Sequence, residues 1–221
     1  MLAGPLFEYD RIRDLVPTRQ GMGPVWVAWD TNVLSLYERY VAAMCEGDEL
    51  TVLGTDPNEV EALSTLIFVW LWWDLRFIIV DATATDTKNP RPAALVEQRD
   101  RAMEGLRRAL SLGLDGDGED PEPRIPYLPP RVIASLPKGH DRVMVPDAFA
   151  VGADVFLTID KGILKRAAVL RDQGLVVLPP TGLVDALVEA GLDVESGPRQ
   201  MGNGLAPDLG HMSALLETLG V

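Results

Sequence analysis

Four short, mainly apolar segments set the strongest limit on what this chain can fold into. They cover residues 24–29, 76–80, 155–158 and 175–178. Strands that are apolar along their whole length are typical of a parallel sheet buried on both faces. Segments with helical patterns separate them. The sequence therefore predicts an α/β fold, a three-layer αβα arrangement with a mostly parallel central sheet.

Helix signals lie between and after these strands. Asp56 and Pro57, with Glu59 three residues after the aspartate, form a capped helix start, and we expect this helix to run to about Leu75. A further helix over 140–151 should end at Gly152. The other predicted helices are 33–46, 91–112, 163–171, 183–190 and 212–219.

The length of 221 residues favours one domain with insertions. We predict an irregular leader over 1–23, a domain over 24–190 and a C-terminal extension over 191–221. Within the domain, the Gly-, Asp- and Pro-rich segment 113–130 predicts a long surface loop. Five acidic residues fall in this loop: Asp115, Asp117, Glu119, Asp120 and Glu122.

Charge and composition exclude several classes of protein. The net charge of −13 argues against a general nucleic-acid binder, because such a field repels phosphate. The single cysteine, Cys45, fits a reducing, cytoplasmic compartment. The longest apolar stretch, residues 66–73, is too short to span a bilayer, and we expect no signal peptide and no membrane partner. With two histidines and one cysteine, a zinc site is not expected.

Acidic residues follow the predicted strands. Asp30 follows the first strand, Asp81 and Asp86 follow the second, and Asp160 follows the third. Asp141 begins the helix that leads into the third strand. Ligands of open α/β sheets bind beyond the carboxyl ends of the strands, so these acids can converge on one edge. Gathered carboxylates repel each other, and a divalent cation with a preference for oxygen ligands removes that cost.

The first strand and its exit carry a recognisable motif. Val27-Ala-Trp is followed by Asp30-Thr-Asn32, and near the end of the domain Val-Val-Leu-Pro-Pro leads to Thr181. The first segment resembles the opening strand and D-T-N/S motif of the PIN-domain ribonucleases. The second resembles the last strand of that family and its proline-bearing exit.

A second, more specific motif lies in residues 140–163. Asp141 begins a helix, Ala148 follows two turns later, and Thr158-Ile-Asp160 comes after the next strand. This pattern resembles the closing motif of the PIN family, and the 19-residue interval from Asp141 to Asp160 resembles the family's spacing. The two resemblances cover roughly residues 24–54 and 139–190.

The resemblance implies a metal-dependent endoribonuclease that hydrolyses RNA phosphodiester bonds. In that family, the residues at the positions of Asp30, Asp141 and Asp160 coordinate Mg²⁺ or Mn²⁺. Asn32 and Thr158 would orient the carboxylates or bound water.

The family also has a fourth acid, mostly Glu, at the start of a central helix after the second strand. No Glu stands there in this chain, and Asp86 is the best substitute, with Asp81 in reserve. The shorter side chain moves the carboxylate by about one bond, which weakens or displaces one metal.

Each of the three main acids also has a structural interpretation. Asp30 and Asp141 are good helix caps, and Asp160 with Lys161 and Gly162 is a good turn. The joint occurrence of the two motifs favours the metal-ligand interpretation.

Other residues are assigned to structure. We expect Asp154 to be a solvated turn residue, Asp147 an acid on a helix face, and His140 a structural residue with a local hydrogen bond. Two clusters are left with two interpretations each. The tryptophans (Trp70, Trp72 and Trp73) are core or an oligomer interface, with a base-stacking platform as the less favoured alternative. The arginines (Arg99, Arg101, Arg107 and Arg108) are a solvated face, with phosphate contacts as the less favoured alternative.

Three functions are weighed. The first is the endoribonuclease, either a toxin with an antitoxin partner or, as the length favours, a stand-alone enzyme. The second is a PIN-like scaffold with weak or no activity that binds RNA or a protein partner, suggested by the missing Glu and the net charge. The third is a phosphatase-like hydrolase with Asp30 as nucleophile, which normally needs an acid where this chain has Asn32. A homodimer is a further possibility.

Overall fold

A parallel four-stranded sheet forms the centre of the protein. The computed structural model describes residues 25–46, 56–69, 75–84, 123–124 and 127–189. The strands are β1 (Val25–Trp29), β2 (Leu75–Ile78), β3 (Val155–Leu157) and β4 (Val176–Leu178), in the order β2-β1-β3-β4. All three neighbouring pairs are parallel. The predicted α/β class is therefore confirmed, as are all four predicted strands to within two residues at each end.

Eight helices accompany the sheet in the described part of the chain. Parallel strands need crossover connections, and helices supply them here. In chain order they are α1 (Thr31–Glu46), α2 (Pro57–Val69), α3 (Asp81–Ala84), α4 (Pro130–Ser135), α5 (Asp141–Ala150), α6 (Lys161–Leu164), α7 (Ala167–Arg171) and α8 (Pro180–Glu189).

Two buried clusters fill the space beside the sheet. Alternate residues of a strand point to opposite faces, and the clusters divide accordingly. Val27 and Leu157 belong to one cluster, which also contains residues of α1, α2 and α8. Ala28 and Phe156 belong to the other, with residues of α4, α5, α6 and α7. Burial on both faces explains why β1, β3 and β4 are apolar at every position.

Trp29 fixes the carboxyl end of β1. Its side chain is completely buried, and its ring lies 5.0 Å from the ring of Phe77 and 5.6 Å from that of Tyr37, measured between centroids. Tilted aromatic pairs at this separation add about 0.5–1.5 kcal/mol each to the burial of the rings. The residue that follows, Asp30, is thus attached to a rigid strand end.

Several predicted helix boundaries differ from the structure. The helix at Pro57 is described to Val69 and does not reach Leu75, because Leu75 is the first residue of β2. The predicted helix 163–171 is two short helices, α6 and α7. At the break, the Arg166 amide donates to the Ile163 carbonyl at 2.8 Å, a tighter turn than α-helical bonding. The predicted end of α5 is confirmed, since Gly152 has a φ of 89°.

Asp154 is not the solvated turn residue that the sequence predicts. It is only 6% exposed, accepts a hydrogen bond from the Trp26 amide at 2.9 Å and pairs with Arg124 at 3.3 Å. Arg124 also donates to the Gly174 carbonyl at 2.6 Å and lies over the Phe149 ring. The buried carboxylate is stable because it is paired and hydrogen-bonded.

The end of the predicted surface loop is also different from expectation. Arg124 and Leu128 pack against the domain, and Pro130 begins helix α4, which the sequence analysis did not predict. Proline at the first helical position lacks only an amide that has no helical partner there.

Some predictions lie outside the described residues. They are the leader 1–23, the helices at 91–112 and 212–219, most of the loop 113–130, the extension 191–221, the arginine and tryptophan clusters, and Asp86. Within the described part, no helix is both long and apolar enough to cross a membrane.

Candidate functional site

Asp30 lies at the carboxyl end of β1, where the strand gives way to α1. Its amide donates to the Leu157 carbonyl of β3 at 2.9 Å, and its carbonyl accepts from the Leu34 amide at 3.0 Å. The residue is only 4% exposed. Two side chains donate to its Oδ2, Asn32 Nδ2 at 2.6 Å and Thr158 Oγ1 at 2.5 Å. The carboxylate is therefore held in one orientation by donors from two chain segments.

Thr158 and Asn32 connect the ends of β1 and β3. Besides donating to Asp30, the Thr158 hydroxyl accepts from the Asp160 amide at 3.0 Å. The Asn32 amide group accepts from the Ile159 backbone at 3.2 Å through its oxygen. Because Thr158 is fully buried, its hydroxyl has a fixed set of partners. The structure thus places both predicted supporting residues against Asp30.

Asp160 caps helix α6. Its Oδ1 accepts from the amides of Gly162, at 2.5 Å, and Ile163, at 3.3 Å. Both of these bonds use Oδ1, so within the described residues Oδ2 is the oxygen left for a ligand. Asp160 is therefore a helix cap where the structural interpretation predicted a turn residue, and capping does not exclude metal binding, because the two oxygens can serve different roles.

Asp141 is the first residue of α5 and is half-buried. His140 occupies the cap position before it, so Asp141 is not the helix cap. Its negative charge lies at the helix N-terminus, where it is favourable. The helix is attached to its surroundings at two points. His140 Nε2 lies 2.5 Å from the Ala82 carbonyl oxygen, and Thr31 Oγ1 lies 3.7 Å from Met144 Sδ.

His140 is structural, as expected, but its partner is 58 residues away in the chain instead of local.

The charges of Asp141 and Asp160 act on Asp30. The pKa of Asp30 is raised from 3.8 to about 6. Burial is the main cause, and the charges of Asp141 and Asp160 raise it further, while hydrogen bonds from Thr158 and the Thr31 amide lower it. Three acids from separate chain segments therefore share one electrostatic environment. A cation would be favoured there, since it reverses the sign of the local field.

The oxygen-only donor set fits a hard divalent cation. Within the described part of the chain, however, no three His, Cys, Asp or Glu side chains are gathered closely enough to enclose a metal ion together. That arrangement differs from a closed structural site. A metal ion held by these residues would therefore need water molecules to complete its coordination.

The position of the fourth acid is only partly described. Asp86 lies outside the described residues. Asp81 is the first residue of α3, the helix that follows β2, and it is exposed. Burial raises the pKa of Asp147, the charge of Asp81 raises it further, and His140 lowers it. Asp147 thus has Asp81 as its acidic neighbour, whereas Asp30 has Asp141 and Asp160.

Two residues near the strand ends were missed by the sequence analysis. Thr83 of α3 is fully buried and donates to the Trp29 carbonyl at 2.9 Å, which ties α3 to the residue before Asp30. Glu59, expected to support its own helix start, instead accepts from the Thr181 amide at 3.0 Å and hydroxyl at 2.8 Å. It therefore supports the start of α8. Both contacts join distant segments, so no local pattern reports them.

Comparison with known proteins adds no family assignment, since no protein-family model, curated protein or solved structure matches the chain.

Proposed function

We propose that this protein is a divalent-metal-dependent endoribonuclease with a three-layer, PIN-like αβα fold. One observation carries the proposal: the buried carboxylate of Asp30 is held by Asn32 and Thr158, and its pKa is raised by burial and further by the charges of Asp141 and Asp160 from two other segments. Such a group is unfavourable alone and is stabilised by a cation. A cation at this place suits phosphodiester hydrolysis.

The three acids would hold Mg²⁺ or Mn²⁺. When bound, such an ion supplies charge for the phosphate oxygens and lowers the pKa of a bound water. With a pKa of about 6, Asp30 is about 90% ionised at neutral pH and is available as a ligand. Asn32 and Thr158 hold its Oδ2, and the Gly162 amide holds Asp160 Oδ1. These bonds orient the acids before any ligand binds, which lowers the cost of assembling the site.

Asp86 and Asp81 are the candidates for a fourth acid. Asp81 has the position that the family resemblance requires, at the start of the helix after β2. Asp86 follows five residues later. Parallel Asp81→Asn and Asp86→Asn variants assign the role, since only the residue that contributes to the site lowers the cleavage rate when its charge is removed.

The test is cleavage of an unstructured single-stranded RNA in Mn²⁺ by the full-length protein. We expect Asp30→Asn and Asp160→Asn each to lower the rate by roughly a hundredfold or more, since each removes a charged ligand. Asp185→Asn is the matched control, because Asp185 is an exposed aspartate on α8. Equal cleavage by all four proteins would assign the activity to a contaminant or to another site.

A second candidate is a PIN-like scaffold that binds RNA or a protein without cleaving. The absence of a closed group of three ligands in the described residues favours it, together with the net charge of −13. For a scaffold, RNA binding is independent of Mn²⁺ and unchanged in Asp30→Asn, and the purified protein leaves the RNA intact.

The phosphatase-like alternative loses support. Asn32, at the position where such an enzyme needs its acid, donates to Asp30 at 2.6 Å and cannot act as a general acid/base. An acid-stable phosphoryl adduct on Asp30 would restore this alternative.

A further inference from the structure

The loop before α5 packs against the cap of α6. A Cβ atom placed on Gly162 would lie 2.9 Å from Pro137 Cγ and 2.9 Å from Asp160 Oδ1. This spacing is closer than real Cβ contacts, so only glycine allows the two segments to approach as they do. The contact brings the loop that precedes Asp141 directly beside Asp160.

Each segment carries one exposed lysine beside this contact. Lys138 follows Pro137 and stands three residues before Asp141, and Lys161 stands between Asp160 and Gly162. Both lysines are exposed, and neither makes an ion pair with another described residue. Two flexible, hydrated ammonium groups are therefore placed at the border of the acidic site.

Other cations near this border are already engaged. The Arg142 guanidinium donates to the carbonyls of Leu136, at 3.2 Å, and Ala134, at 2.8 Å, which are at the end of α4. His140 contacts the Ala82 carbonyl oxygen through Nε2. Lys138 and Lys161 are exposed cations next to the Pro137–Gly162 contact, and neither is held by a hydrogen bond to a carbonyl of the described residues.

The wider charge distribution supports an anionic ligand at this side. Residues 127–189 contain seven Lys or Arg and seven Asp or Glu, so this segment is neutral, and the net −13 of the chain arises entirely from the remaining residues. The segment that contains Asp141 and Asp160 therefore has no net charge of its own to repel a polyanion.

We propose that Lys138 and Lys161 bind backbone phosphates of single-stranded RNA next to the acidic site. This inference rests on the proposed function, and it names the residues that retain the substrate. Lysines that contact phosphate position the strand without reading its sequence, so binding should depend strongly on salt and little on base composition.

The experiment measures the affinity of a fluorescent, unstructured RNA by anisotropy over a series of salt concentrations in Mn²⁺. The full-length Asp30→Asn protein is the background, so that binding is separated from cleavage. Lys138→Ala and Lys161→Ala should each weaken binding several-fold and reduce the slope of log K against log salt by about 0.7, the value for one contact to a single strand. Lys161→Arg should retain both, because the positive charge remains.

Lys165→Ala is the matched control. Lys165 is also an exposed lysine, but it lies one helical turn further from the contact, after the end of α6. The proposal is overturned if the parent protein binds no RNA, if the slope is unchanged in both lysine variants, or if Lys165→Ala has the same effect. Binding that depends on the lysines without cleavage by the wild type would instead overturn only the nuclease function.

Discussion

Asp30→Asn should stabilise the metal-free protein at alkaline pH while removing its function. The folded protein holds Asp30 with a pKa of about 6, against 3.8 for the ordinary side chain, chiefly because the carboxylate is buried. A raised acid pKa means that the folded state binds the proton more tightly, so ionised Asp30 weakens the fold. The penalty is absent below pH 3.8, grows as the pH rises, and is complete above pH 6.

The size of the effect follows from the shift. About two pKa units correspond to about 3 kcal/mol of lost stability when Asp30 is fully ionised. The asparagine also loses the bond from the Thr31 amide, which costs about 1 kcal/mol at every pH. The pH-dependent part is cleaner: between pH 5 and pH 8, wild type should lose about 1.4 kcal/mol relative to the variant.

Urea unfolding followed by far-UV circular dichroism, in EDTA at pH 5 and pH 8, measures this difference. Asp185→Asn serves as the exposed control and should show no such change with pH. If the stability difference between Asp30→Asn and wild type is the same at both pH values, Asp30 is not a buried carboxylate with a raised pKa, and the reasoning fails.

Three further variants test the supporting structure. Asp154→Ala should lower the free energy of unfolding by about 3–5 kcal/mol, because it removes the carboxylate that pairs with Arg124 and accepts from the Trp26 amide; a urea midpoint equal to that of wild type would contradict this. Thr158→Val should raise the pKa of the carboxylate it contacts, so that Mn²⁺ binding moves to higher pH in a calorimetric series, with Thr158→Ser restoring it. Gly162→Ala should cost about 1–3 kcal/mol in thermal unfolding and weaken Mn²⁺ binding, since its new methyl group meets Pro137 and a carboxylate oxygen; unchanged affinity would show that this oxygen is free to move.

The strands and the edge where the acids lie were predictable because their signals are local. A strand buried on both faces is apolar at every position, and residues 25–29 and 176–178 show this without reference to any partner. The acids follow the strands directly, so parallel pairing places them at one edge. Asp30 and Asp160 are next to each other for that reason, through Thr158 between β1 and β3.

The errors concern contacts between distant segments. Asp154 looks like a turn residue locally, and its burial depends on Arg124, 30 residues earlier, and on the Trp26 amide, 128 residues earlier. Glu59 likewise finds its partner, Thr181, 122 residues away. In both cases tertiary packing decided between interpretations that local sequence leaves equal. The break between α6 and α7 contains no glycine or proline, so the local sequence does not predict it.

The residues grouped at the site could be predicted from the sequence, but their geometry could not. Spacing and resemblance group Asp30, Asp141 and Asp160, and in the structure the charges of Asp141 and Asp160 add to the effect of burial in raising the pKa of Asp30. Whether an acid also serves as a cap cannot be read from the chain, since Asp160 does so and Asp141, preceded by His140, does not.

The central claim is that these three carboxylates bind a divalent cation. Isothermal calorimetry of the full-length protein with Mn²⁺ at pH 7.5 tests it directly. The proposal predicts saturable binding at or below millimolar metal that is strongly weakened in Asp30→Asn and in Asp160→Asn and retained in Asp185→Asn. A folded wild type that binds no Mn²⁺ at millimolar concentration, or binds it equally in all four proteins, would contradict it.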